Sequence, residues 1–210
     1  MEHGSARQTA GRWLRWPADG LRGTLAKSPV TLVFVVLFWF LGILTSSIVD
    51  GPDDPLLPWV SVSVDTLPEY WPALVLSALW ANGLAGYISG TLLTLAVGLP
   101  AERLLGSRRF LAAAVGTQVI GALAGIGFAV GLNGAFENWG RELSTDSFVG
   151  PVALVCGVAA AASAGMGTLW RRRVRLALFT HPLALALYSG ALRDVRSLAA
   201  AVTGGIWGPY

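Results

Sequence analysis

One cysteine, two histidines and 12 acidic residues are all that this 210-residue chain holds of the groups most enzymes use for thiol, acid or base chemistry. With Cys156 alone no intramolecular disulfide can form, and a thiol inside an apolar run reads as a small hydrophobe rather than a redox centre. Charge is equally scarce: 13% of residues are charged against 54% hydrophobic. A soluble domain of this length could not cover so much apolar surface, so composition selects an integral membrane protein. A Gly-x4-Gly-Lys phosphate loop, a His-Glu-x2-His zinc pair and the paired intramembrane carboxylates of a proton relay are all missing, so neither a cofactor nor a metal is expected.

What the chain has instead is long uncharged stretches: Ser28 to Val49, Tyr70 to Ala101, Phe110 to Phe136, Ser147 to Trp170, Leu176 to Leu192 and Ser197 to Tyr210. A helix rising 1.5 Å per residue needs roughly 20 residues to cross a hydrocarbon core of ~30 Å. On that measure the first four stretches span, the fifth just does, and the sixth reaches only about 21 Å. The last helix is therefore expected to be tucked among its neighbours, or to belong to a polypeptide that continues. The first apolar run lacks a small-x-small cleavage signal and reads as an uncleaved anchor.

Basic residues alternate with these stretches. The N-terminal region holds Arg7, Arg12, Arg15, Arg22 and Lys27; the second connection holds Arg103, Arg108 and Arg109; the fourth holds Arg171, Arg172, Arg173 and Arg175. The intervening loops hold none, then Arg141, then Arg193 and Arg196. The positive-inside rule puts the N-terminus and the even-numbered loops in the cytoplasm, giving a multi-pass protein of the plasma membrane. Residues 1-27 then form a basic cytoplasmic tail suited to anionic lipid, with Trp13 and Trp16 as interfacial anchors. A net charge of +3 explained by topology leaves no case for nucleic acid. The first outward loop, Asp50 to Tyr70, opens on turn chemistry at Asp50 to Pro55 and continues with Leu56, Trp59, Val60 and Val62 among polar residues. It either lies half-immersed in the outer interface or packs on the bundle.

Two runs carry a family resemblance. The first is Gly98-Leu99-Pro100-Ala101-Glu102-Arg103-Leu104-Leu105-Gly106, and the second is Gly150-Pro151-Val152-Ala153-Leu154-Val155-Cys156-Gly157. They resemble the rhomboid intramembrane proteases, in which His-x4-His-x3-Asn-x7-Gly-x3-Glu-x3-Gly marks the second span and Gly-x-Ser-Gly-x3-Gly opens the fourth. Gly98, Glu102, Gly106, Gly150 and Gly157 fall in register, with Arg103 inside the first pattern. The same register puts the family's catalytic positions on Ala81, Gly86, Gly90 and Val152, and on Ser197 in the sixth span. The resemblance implies an all-α, six-transmembrane-helix bundle with its N-terminus in the cytoplasm, formed by residues 28-210.

It also implies loss of the chemistry. Serine proteolysis needs a hydroxyl, a base to take its proton and donors for the oxyanion. Val152 has no hydroxyl, Ser197 is no base, Ala81, Gly86 and Gly90 offer no side-chain donors, and Pro151 removes a backbone N–H beside them. The polar residues being absent, the outward cavity is expected to be apolar and lined by Gly86 and Gly90, a groove for a lipid chain or a client helix. His181 and Ser163 come to similar depth by helical rise and form a possible substitute dyad; a neutral His181 bonded to a carbonyl freed by Pro182 is the simpler reading. Gly86-x3-Gly90, Gly121-x3-Gly125 and the run Gly157 to Gly167 are seams for close helix contact, within the chain or between copies, and nothing in the pattern selects an oligomeric state.

The expected function is a non-catalytic, rhomboid-like scaffold whose partners are membrane lipids or transmembrane client proteins, since inactive relatives of that family bind transmembrane segments. A divergent rhomboid serine protease is one rival. Another is an N-terminal membrane module of a longer protein with a cytosolic lipid-modifying domain, because some bacterial proteins that look like this carry an aminoacyl-lipid synthetase after such a bundle.

Overall fold

The computed structural model describes residues 27–64, 67, 69–133, 149–189 and 192–206. The tail residues 1–26 and Arg141 lie outside them. Helix α1 (Pro29–Leu44) starts on a proline, whose missing N–H costs nothing in a first turn and whose fixed φ suits it. It stops without a charge: the Thr45 hydroxyl donates to the Leu41 carbonyl at 2.8 Å, and Ser46 turns left-handed at φ 56°. Short helices α2 (Ser47–Asp50), α3 (Leu57–Val60) and α4 (Ala73–Leu76), the last continued by a 3-10 turn at Ser77–Leu79, fill the first connection. Then come α5 (Gly83–Leu105), α6 (Ser107–Asn133), α7 (Val152–Ser163), α8 (Thr168–Ser189) and α9 (Leu192–Ile206).

Close contacts fix the helix directions. Thr31 packs on Gly98, Phe38 on Gly90 and Tyr87 on Gly42, so α1 and α5 are antiparallel. Pro151 meets Gly90 and Leu104 meets Gly165, so α7 runs parallel to α5. Phe110 shares a core cluster with Ala162, and Thr117 packs on Gly157, so α6 runs against α7. Gly121 meets Ala200 while Gly204 meets Gly157, which sets α9 parallel to α7. Helix α7 lies in the middle, with every residue but Val152 and Cys156 buried.

These directions sort the charges. Lys27, Arg103, Arg108, Arg109 and Arg171 to Arg173 share one end of the bundle, while Asp50, Asp53, Asp54, Arg193 and Asp194 lie at the other. Between the ends the outer faces are apolar: Val36 of α1 is 66% exposed, Leu92 of α5 63% and Leu187 of α8 81%.

The six-transmembrane-helix, rhomboid-like bundle expected from the sequence is not what the helices form. Among the described residues two are long and apolar enough to cross a membrane, Gly83–Leu105 and Ser107–Gly131. Helix α1 has 16 residues and α7 has 12, reaching about 24 Å and about 18 Å. Helix α8 has 22 residues, but Arg171, Arg172, Arg173 and Arg175 occupy its first turns, and the 15-residue α9 includes Arg193, Asp194 and Arg196. Counting uncharged runs overestimates span length because the chain leaves the helix on uncharged residues. Thr45-Ser46, Trp80 to Asn82, Gly150-Pro151 and Ala164 to Gly167 each break a run that the charge pattern leaves whole. The first connection packs on the bundle. Val60 clusters with Trp80 and Val149, and Val62 with Ala73 and Ala122, leaving Trp59 and Trp71 outside.

Candidate functional site

A buried carboxylate joins three helices at the basic end. Glu102, 1% exposed near the end of α5, accepts the backbone N–H groups of Val30 at 3.0 Å and Thr31 at 2.8 Å. It also accepts the Thr31 hydroxyl at 2.8 Å and the Ser107 hydroxyl at 2.7 Å. The N–H groups in the first turn of a helix have no carbonyl within it to bond, and the carboxylate supplies one from outside while sitting at the positive end of the α1 dipole. Ser107, the first residue of α6, brings the third helix in.

The flanking glycines have separate reasons. A Cβ at Gly98 would lie 2.9 Å from Thr31 Cγ2, so only glycine lets α1 come close enough for Glu102 to reach Thr31. Gly106 has open space around it but a φ of +78°, and its N–H bonds the Glu102 carbonyl at 2.8 Å. Glycine is needed there for the backbone turn between α5 and α6. Arg103 is exposed at the same end. The Gly-x3-Glu-x3-Gly spacing is thus a contact, a cap and a turn, one helical turn apart.

The positions expected to have lost catalytic residues gather at the opposite end. Ala81 and Gly86 touch, with a Cβ at Gly86 lying 3.1 Å from Ala81 Cβ. A Cβ at Gly90 would lie 3.2 Å from Phe38 and 3.3 Å from Pro151, the neighbour of Val152. The parallel run of α7 and α9 carries Ser197 to the level of Val152. Ser197 is 3% exposed and its hydroxyl donates to the Arg193 carbonyl at 2.9 Å, as a helical serine commonly does. Gly150 is fixed by its N–H bonding the Ser77 carbonyl at 2.8 Å. This corrects the expected groove: Gly86 and Gly90 face Ala81, Phe38 and Pro151 of the same chain instead of lining a space for a client.

Ser163 and His181 are given separate surroundings. The Ser163 hydroxyl, fully buried, donates to the Ala160 carbonyl at 2.6 Å and accepts from Arg175 Nε at 2.9 Å. Arg175 also reaches the Gly205 carbonyl at 3.4 Å, tying α7, α8 and α9 together. His181 is exposed on α8. A hydroxyl whose neighbour is a guanidinium has no base to take its proton. Among the described residues no group of three His, Cys, Asp or Glu side chains could hold a metal ion.

Parts of the small-residue seams pack inside the bundle, while Gly167 faces open space. Gly157 packs against Thr117 and against the backbone of Gly204, and a Cβ at Gly121 would lie 2.9 Å from the Arg196 carbonyl. Several of these partners were not singled out from the sequence. Thr31 and Ser107 had a signal, since each opens an apolar helix and hydroxyls favour such ends. The Ser163–Arg175 bond and the bond from Gln118 to Ser77 at 3.0 Å had none, because each joins residues that only the tertiary arrangement brings together.

No protein-family model matches the chain. The chain is similar to an uncharacterized protein of Corynebacterium glutamicum, 38% identical over 138 residues, which is 65% of this chain. It spans 17% of that relative's length.

Proposed function

We propose that this chain is a non-catalytic, multi-pass module of the plasma membrane that acts as a scaffold for membrane lipids or for a transmembrane partner helix. The observation that carries the reading is the filling of the candidate site. Ala81, Gly86, Gly90 and Val152 supply neither nucleophile nor donor, and the Ser197 hydroxyl bonds its own helix. The apolar outer faces and the gathering of basic residues at one end favour a membrane setting with that end in the cytoplasm. The resemblance to rhomboid proteases enters only through Gly98, Glu102, Gly106, Gly150 and Gly157, whose roles here are architectural.

One observation favours a more specific form. This chain spans 17% of the relative it resembles, which supports reading it as a membrane module of a longer polypeptide. Both forms make the same claim about orientation. Cysteine placed at Asp53, in cells expressing the protein, is expected to react with an impermeant maleimide from outside, and cysteine at Arg172 only after permeabilisation; both residues are exposed. The reverse pattern sinks the orientation, and equal reaction at both sites in intact cells sinks the membrane reading.

A further inference from the structure

We infer that the bundle holds one anionic phospholipid, its headgroup on Lys27 and Arg103 and a stretch of one acyl chain in an apolar cavity between α1, α4, α5, α6 and α7. The inference rests on the membrane reading above and names the lipid that reading leaves general. The cavity has a volume of about 170 Å³ and is walled by Val30, Phe34, Leu79, Phe110, Ala114 and Leu154. Thr94 and Gln118 border it without presenting polar surface to it. A dry space of this size takes a guest of about six carbons. Its rim, Val75, Leu111 and Val115, lies on the outside of the bundle, where these residues are 39%, 50% and 39% exposed. A hydrocarbon chain can therefore enter from the side.

Depth and charge choose the occupant. Leu111 and Val115 lie one and two turns into α6, roughly 6–12 Å from Ser107, which is acyl-chain depth for a lipid whose headgroup sits at the basic end. There a second space of about 470 Å³ is lined by Lys27, Glu102, Arg103, Gly106 and Ser107. The two spaces flank one helical turn, because Val30 and Thr31 border the first and bond Glu102, which borders the second. The Glu102 carboxylate is turned onto those donors, so Lys27 and Arg103, with exposed Arg108 and Arg109 beyond, set the sign of the pocket. A zwitterionic headgroup would bring its own cation to the same lysine and arginine, so the complement is an anionic one.

The test uses this chain reconstituted with phosphatidylglycerol or phosphatidylcholine carrying a photoreactive group in the upper half of one acyl chain. The phosphatidylglycerol probe is expected to label the peptide around Leu111 to Gln118 in preference to the phosphatidylcholine probe. Lys27→Gln and Arg103→Gln should each lower that preference about fivefold. Ala114→Leu, which fills the cavity, and Val115→Trp, which covers its exposed rim without touching the core, should each cut labelling severalfold at unchanged helical circular dichroism. Inorganic phosphate at millimolar concentration should leave labelling unchanged; displacement by it would mean a plain phosphate pocket and overturn the lipid assignment. Equal labelling by the two probes, or labelling indifferent to both cavity variants, overturns it as well. Failure of the protein to float with phosphatidylcholine vesicles would instead remove the membrane reading beneath it.

Discussion

Removing the Glu102 carboxylate should loosen the joint of α1, α5 and α6. Four donors converge on it: two backbone N–H groups at 3.0 and 2.8 Å and two hydroxyls at 2.8 and 2.7 Å. Bonds to a charged acceptor contribute about 1.5–3 kcal/mol each, but four that share one group do not add. The larger effect is what stays behind, since Glu102→Ala leaves the Val30 and Thr31 amides without their acceptor. Orphaning the two amides at about 1–3 kcal/mol each, with loss of the two hydroxyl bonds, should cost about 3–5 kcal/mol in all, whereas Glu102→Gln keeps one acceptor oxygen and should cost about 2 kcal/mol. For a chain of this size each kcal/mol lowers Tm by about 2–4 °C. Melting in detergent, followed by circular dichroism, should therefore show Glu102→Ala at least about 6 °C below the parent and Glu102→Gln between them. A double-mutant cycle with Ser107→Ala should show coupling of about 0.5–3 kcal/mol. Parent-like melting of Glu102→Ala, or strict additivity with Ser107→Ala, would refute the joint.

The glycines should separate by mechanism. Gly204→Ala places a methyl on the backbone of Gly157 and should cost several kcal/mol or prevent folding, as seen by gel filtration in detergent. Gly127→Ala, at an open helical position, should instead raise stability by about 0.5–1 kcal/mol. Gly106→Ala meets nothing but is held at φ +78°, so melting should report a loss of about 1–2 kcal/mol from backbone strain alone. Purified protein should not react with a fluorophosphonate probe; labelling that vanished in both Ser163→Ala and His181→Ala would restore the dyad and overturn the non-catalytic reading. Arg175→Ala should lower stability by about 1–3 kcal/mol through its bonds to Ser163 and Gly205, measured in the same melt.

The helical class, the places of the apolar runs and the gathering of basic residues at one end could be read from the chain, because composition and charge placement are properties of residues one at a time. Helix ends were the weak point. Ser46 ends α1 by turning left-handed, and the chain from Trp80 to Asn82 separates the 3-10 turn at Ser77–Leu79 from α5. Neither break carries a charge, so a rule that looks for charges runs through both and lengthens the spans. The candidate site divides in the same way. Gly98, Glu102 and Gly106 are spaced for one face of α5, and their partners Thr31 and Ser107 stand beside helix starts, where local chemistry gives a clue. That Gly90 would lie against Phe38 depends on how α1 crosses α5, and the pairing of Ser163 with Arg175 depends on how α8 returns beside α7. Neither has a local trace.

The matched spacing therefore carries less about chemistry than its resemblance implies. A glycine that admits Thr31, a carboxylate that holds the first turn of α1 and a glycine that reverses the chain are each explained by contacts at the basic end. Val152 and Ser197 lie toward the other end, and none of the Glu102 bonds reaches them. A joint of this kind is needed by any bundle in which α1 must dock on α5 and α6, whether or not the far end can cleave a peptide. Its presence says how three helices are held, and the residues at the far end decide what they are held for. There the side chains are aliphatic, absent or bonded to their own helix, so the functional surface is to be sought where the bundle leaves space. Two such spaces among the described residues are the apolar cavity and the basic pocket on either side of the Val30–Thr31 turn, the same turn that Glu102 fixes.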